Sequence, residues 1–182
     1  TQFSNYWIHN GLIKVNGQKM SKSLGNSLFL KDLLDAYSPE TIKFALLQTN
    51  YRNDINITDD LFPEAEKHIA EFYKLFESVY ALNVEPTAAD KEAAKKIDEE
   101  FDACMSDDFN TALALSNLFG YAKEIRKTAA ENAGLATALA KQIQKTYSLL
   151  GVFVREPKEY AALFAVSLLT VLDVIPYPIT FA

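Results

Sequence analysis

The stretch from Leu61 to Tyr80 constrains this chain most. Leu61, Ala65, Ile69, Phe72, Phe76 and Val79/Tyr80 recur every three or four residues, the repeat of an amphipathic helix of about six turns. A helix with one apolar face must bury it against other elements of the same kind or against a sheet. The sequence supplies such elements downstream. Ile97, Phe101 and Cys104/Met105 line a second helix running from about Lys91. Leu113, Leu118, Ala122 and Ile125 line a third, capped by Asp107-Asp108-Phe109-Asn110, and Leu139, Ile143, Tyr147 and Leu150 a fourth. Gly134 precedes the fourth and Gly151 ends it, while Asn83, Pro86 and Asp90 break the chain between the first two. With only 6 Gly and 6 Pro in 182 residues, turns are too scarce for a sandwich or barrel of many short strands. The expectation is a mainly α protein whose residues 61–158 form an antiparallel helical bundle with short connections.

The front of the chain reads differently. Tyr6-Trp7-Ile8-His9 is aromatic and strand-like, and Leu12-Ile13-Lys14-Val15 followed by Asn16-Gly17 reads as a short strand entering a type I′ turn. Lys19-Met20-Ser21-Lys22-Ser23-Leu24-Gly25-Asn26 has no hydrophobic period and reads as a loop. A short helix over Leu30–Ala36 follows. Ser38-Pro39-Glu40 then starts another, with Ser38 as the cap and Pro39 at the first helical position. Thr58-Asp59-Asp60 is the expected cap of the long helix, and Pro63 lies early enough in it to be tolerated.

Charge separates the two regions. Residues 1–52 hold six Lys/Arg against three acids, a net of +3, while the remainder holds 12 against 21, a net of −9. An anionic ligand is drawn to the first part, and broad attraction to nucleic acid is poor over the rest. One cysteine, Cys104, excludes an internal disulfide and a multi-cysteine metal site and suits a reducing compartment. His9 and His68 are the only histidines. Residues 1–18 show no signal-peptide pattern. From Ala161 to Ala182 the sole charge is Asp173, and Pro176 and Pro178 interrupt the apolar run. That is short of the roughly 20 residues a membrane span needs, so the expected use of the tail is packing as a last helix or strand.

The Lys19–Asn26 loop carries the strongest chemistry. Lys19 and Lys22 offer mobile positive charge, and the hydroxyls of Ser21 and Ser23 with the backbone N–H groups around Gly25 can donate to phosphate oxygens. A solvated lysine-rich exit from a hairpin is the alternative reading of such a loop. Here, however, Lys19-Met20-Ser21-Lys22-Ser23, extended by Leu24-Gly25-Asn26, resembles the mobile KMSKS loop of class I aminoacyl-tRNA synthetases. The flanks Asn5–Gly11, Asp32–Glu40, Asn50-Tyr51-Arg52, Ile55-Asn56 and Asp107–Ala112 are similar to those of the cysteinyl-tRNA synthetases. The resemblance covers about residues 1–158.

That resemblance implies ATP-dependent attachment of cysteine to its tRNA in the cytoplasm, with magnesium-bound ATP, cysteine and tRNA as partners. It implies Lys22 as the ATP contact, Lys19 as its assistant, and Met20, Ser21 and Ser23 as further ATP-loop residues. Tyr51 and Arg52 are candidates to touch tRNA, with Arg52 paired to Asp54 or Asp59 as the alternative. The family's zinc ligands and its other nucleotide motif are expected upstream of this chain, in an N-terminal catalytic half that would be a required partner. The chain alone is then expected to be inactive, with no metal site of its own. Residues 1–28 would end the catalytic domain with the KMSKS loop, 29–60 form a helical connector, 61–158 the bundle and 159–182 an atypical apolar tail. Two departures stand out: Asn50 replaces a frequent histidine, and Phe29 a common capping threonine, which moves that cap to Asn26 or Ser27.

Other features have plainer readings. Glu64, His68 and Glu71 share a helix face and read as a solvated surface; Cys104 reads as a small core residue; Tyr6 and Trp7 read as core beneath the loop. A non-catalytic binding module derived from a synthetase, and a cysteine ligase acting on a small amine, are the competing functions.

Overall fold

The computed structural model describes residues 3–162. It places a small sheet and two short helices at the front and a helical body behind them. Strand β1 (Ile13–Val15) pairs antiparallel with β2 (Gln18–Lys19), and Asn16 and Gly17 between them have φ of 48° and 81°. Two left-handed residues in a two-residue turn match the twist of the flanking strands, as the Asn-Gly pair predicts. Strand β3 (Ile55–Ile57) then lies parallel to β1, with Ile13 opposite Ile55 and Val15 opposite Ile57. Strand β3 carries no sequence signature, because three residues are too few to show alternation. Parallel pairing demands a crossover, which is supplied by the Lys19–Asn26 loop, α1 (Leu30–Ala36) and α2 (Pro39–Leu47).

The aromatic tract 6–9 forms no strand, and it is not core. Tyr6 and Trp7 are 86% and 70% exposed, which corrects the expectation that they lie beneath the loop. Phe3 stacks on Trp7 at 6.1 Å, and Ile8, Leu12, Phe29 and Leu30 are also exposed. Apolar side chains are thus concentrated on the surface of residues 3–30, more than isolated exposure accounts for.

The body is built by α3 (Leu61–Tyr80), α4 (Ala88–Ala94), α5 (Lys96–Ser106), α6 (Thr111–Thr128) and α7 (Ala133–Tyr147). Helix α7 touches all four of the others. Tyr73, Phe76, Ile97, Leu118, Ile125, Leu139 and Ile143 fill the core, with Phe44 from α2 and Phe153 from the segment after α7. The second long helix is therefore two helices that meet at Lys95. Asp90, expected to break the chain, instead closes a capping box with Thr87. Its carboxylate also accepts from Asn132 Nδ2 at 3.0 Å. Gly134 lies inside α7, which Asn132 caps, and a Cβ on Gly134 would meet the Asp90 carboxylate at 2.7 Å. At the start of α3, Asp60 of the expected Thr58-Asp59-Asp60 cap occupies the cap position, but it makes no side-chain capping bond.

A buried carboxylate ties the front to the body. Glu40, on the first turn of α2, is 3% exposed. It accepts from Tyr73 Oη at 2.8 Å and from the Phe153 N–H at 2.9 Å, with Arg155 Nε 3.6 Å away. Tyr73 Oη in turn accepts from the Arg155 N–H at 3.1 Å. Phe153 has φ of 58°, an unfavourable region for a side chain of that size. Its bond to Glu40 and its ring packing against Phe72 and Phe76 hold it there. Thr111 Oγ1 donates to the Leu47 carbonyl at 2.8 Å and fixes the other end of α2 to α6. The apolar tail beyond residue 162 lies outside the described residues, and with it the expectation that it packs on the body. Among the described residues no helix is long and apolar enough to cross a membrane.

Candidate functional site

The loop leaves β1–β2 under firm anchorage: the Met20 N–H donates to the Ile13 carbonyl at 3.0 Å. Residues Lys22–Leu24 wind into one 3₁₀ turn, ended by Gly25 at φ of 66°, where glycine carries no steric penalty. Ser21 Oγ and Ser23 Oγ are 3.2 Å apart. Asn26 does not cap α1; Phe29 takes that position with no side-chain bond. Instead the Asn26 Oδ1 accepts from the Ser21 N–H at 2.9 Å, and its Nδ2 donates to the Lys19 carbonyl at 3.2 Å.

Lys19, Lys22 and Ser23 are exposed, and Met20 and Ser21 half-buried. Among the described residues neither Lys19 nor Lys22 forms a salt bridge. The neighbouring Lys14 differs, since it pairs with Asp54 at 2.9 Å. That lysine, helped by the Leu12 N–H, holds the Asp54 carboxyl below the usual carboxylate range. The loop therefore presents two uncommitted ammonium groups with hydroxyl and amide donors beside them, a set suited to a polyphosphate.

Tyr51 and Arg52 lie apart from this loop, in the turn before β3. Tyr51 Oη donates to Asp108 Oδ1 at 2.7 Å, Arg52 Nη2 donates to the same oxygen at 3.0 Å, and Arg52 Nε donates to Asp108 Oδ2. The guanidinium stands 5.2 Å from the Tyr51 ring centroid, and Phe109 meets that ring edge-on at 6.4 Å. Asp108 and Phe109 both have φ of 53°. The bond from Arg52 holds the Asp108 carboxyl below its ordinary value, and Asp108 in turn raises the Tyr51 phenol. Arg52 is thus paired, but with Asp108 across the fold; neither Asp54 nor Asp59 is its partner. Asp108 was legible only as a cap, because nothing in local spacing links residues 56 apart.

The remaining candidates resolve as packing. His68 is not a solvated surface group: its ring lies between Phe44 and Phe119, with Nδ1 buried. Cys104 is buried, and burial pushes its thiol up, the reverse of what a nucleophile needs. Among the described residues no group of three or more His, Cys, Asp and Glu could hold a metal ion. Those residues therefore do not fit zinc.

Residues 1–67 match a family model described as the tRNA synthetases class I (C) catalytic domain, and residues 100–154 match the DALR domain. A cysteine–tRNA ligase of Pseudomonas aeruginosa is 39% identical over 158 residues, covering 87% of this chain and 33% of that protein. The one from Burkholderia thailandensis is 36% identical over 158 residues, covering 87% and 32%. That of Marinomonas sp. is 34% identical over 160 residues, covering 87% and 33%. This chain therefore spans about a third of the length of the curated relatives it matches.

Proposed function

We propose, for a chain that is homologous to the cysteine–tRNA ligases and derived from a tRNA synthetase, that it works in the ATP-dependent attachment of cysteine to tRNA. The observation that carries this is the pair of exposed lysines, Lys19 and Lys22, which form no salt bridge among the described residues, on a loop stapled to β1. In this reading magnesium-bound ATP, cysteine and tRNA are the substrates and the cytoplasm is the place of work. The carboxylate of cysteine attacks the α-phosphorus of ATP, the bond to the bridging oxygen breaks, and pyrophosphate leaves with the electron pair. A hydroxyl at the tRNA 3′ end then attacks the carbonyl of the adenylate and releases AMP.

Charge grows on the β-phosphate side as the first bond breaks, so an ammonium held there favours the transition state over the ground state. Lys22 is that group, Lys19 assists it, and Ser21 and Ser23 donate to phosphate oxygens. Met20, half-buried, seats the loop on the body. Residues 1–28 end the catalytic domain, 29–60 connect, and 61–158 form the tRNA-side bundle. Tyr51 and Arg52 belong to the tRNA side as well. The Arg52 side chain is 62% exposed, so a tRNA phosphate can compete with Asp108 for it.

The chain alone is inactive in this reading. Its exposed Phe3, Tyr6, Trp7 and Ile8 are a surface that an upstream catalytic half would cover. Expression of the chain together with the N-terminal catalytic half of a cysteine–tRNA ligase is expected to restore cysteine charging of tRNA. A non-catalytic module would restore nothing, and a ligase acting on a small amine would consume ATP and cysteine without need of tRNA.

A further inference from the structure

We infer that Asn26 is the positioning residue of the loop, its side-chain amide setting the separation and direction of Lys19 and Lys22. The inference rests on the reading of this loop as the ATP-handling segment. One carboxamide uses both of its functional groups on the same short stretch of backbone: Oδ1 takes the Ser21 N–H at 2.9 Å, and Nδ2 gives to the Lys19 carbonyl at 3.2 Å. These bonds cross the mouth of the loop and close residues 19–26 into a ring.

Within that ring the other connections are weaker or local. The Leu24 N–H reaches the Ser21 carbonyl at 3.3 Å and the Gly25 N–H the Lys22 carbonyl at 3.2 Å, which define the 3₁₀ turn. Neither spans the ring. The ring is also pinned to β1, through the Met20 N–H. Lys19 is held by the sheet as the last residue of β2, whereas Lys22 has no such support. The Asn26 bridge is what relates the turn carrying Lys22 to the strand carrying Lys19. Aspartate at this position keeps an acceptor for the Ser21 N–H and loses the donor to Lys19. Alanine loses both. The two variants therefore separate the halves of the bridge.

The test has two arms. In the purified chain, amide hydrogen exchange at Ser21 is compared among wild type, Asn26→Asp and Asn26→Ala, with Ile69 as a reference amide in the body. Exchange at Ser21 is expected to rise roughly tenfold in Asn26→Ala, as befits loss of one ordinary hydrogen bond, and less in Asn26→Asp, with Ile69 unchanged. Equal Ser21 exchange in all three overturns the inference. In the chain paired with an upstream catalytic half, ATP–pyrophosphate exchange is expected to lose kcat in Asn26→Ala by roughly tenfold, the same bond read as misplacement of Lys22. The KM for cysteine stays as it was, and Asn26→Asp recovers part of the loss. An unchanged kcat overturns the positioning role even if the amide is freed. Absence of activity in the wild-type pairing would sink the functional reading instead, and the amide comparison would still decide the bridge.

Discussion

Replacing Glu40 by alanine should destabilise the fold more than any exposed charge does. The carboxylate is 3% exposed and accepts from two donors that are buried with it, Tyr73 Oη and the Phe153 N–H. Each donor left without an acceptor costs about 1–3 kcal/mol. Arg155 adds little to the loss, because its side chain is 35% exposed and 3.6 Å from the carboxylate, where water replaces the carboxylate. Relief of the desolvated charge offsets part of the penalty. The net is about 3 kcal/mol, which for a chain of this length lowers Tm by roughly 6–12 °C. Thermal unfolding followed by circular dichroism reads the shift, and urea titration checks that the m-value is unchanged. Tyr73→Phe removes one of the same donors, so the double variant should lose less than the sum of the singles. A Tm for Glu40→Ala within about 1 °C of wild type, where roughly 6–12 °C is expected, would show that the network does not hold the front to the body, as would strict additivity.

Other consequences are simpler to read. Burial raises the phenols of Tyr73, Tyr80, Tyr121, Tyr147 and Tyr160 above their ordinary value. The unfolded chain loses those protons from about pH 10 while the folded chain keeps them, so stability falls as pH rises above that value. Absorbance at 295 nm should then show these tyrosines ionising only together with unfolding, and smooth ionisation in the native state would contradict their burial. Gly11 packs so closely on the 50–54 turn that an added Cβ would meet the Asn53 carbonyl oxygen at 2.1 Å. Gly11→Ala should therefore destabilise the sheet by about 1–3 kcal/mol, seen as faster exchange of the Ile55 amide, which bonds to the Leu12 carbonyl. Unaltered exchange there would mean the turn yields freely.

Long-range pairings were the part of this fold that sequence could not disclose. The helix over Leu61–Tyr80 was legible because its apolar residues repeat often enough to define a face, and Asn16-Gly17 because few other pairs tolerate two left-handed residues in succession. Strand β3 was not legible, since its three residues acquire meaning only from β1 beside them. The same holds at the site. The lysines and serines of residues 19–23 announce themselves by type and spacing. Asn26 has the sequence context of a cap, because a polar residue before a helix usually is one, yet its side chain turns back to Ser21 and Lys19. Asp108 has the sequence context of a cap, and only the fold brings it to Arg52. Tyr6 and Trp7 stay exposed although aromatic, because aromatic residues argue for burial, but not for burial by the same stretch of chain.

Everything proposed for catalysis turns on what Lys22 does to ATP. With the chain joined to an upstream catalytic half, Lys22→Ala should lower the kcat of ATP–pyrophosphate exchange by about 10²–10³, the loss typical of one donor aimed at developing charge. The KM for cysteine and the affinity for tRNA should stay within about twofold, since neither involves that ammonium in the transition state. An unchanged exchange rate together with weakened tRNA binding would place Lys22 on the tRNA and remove the loop from the chemistry of ATP.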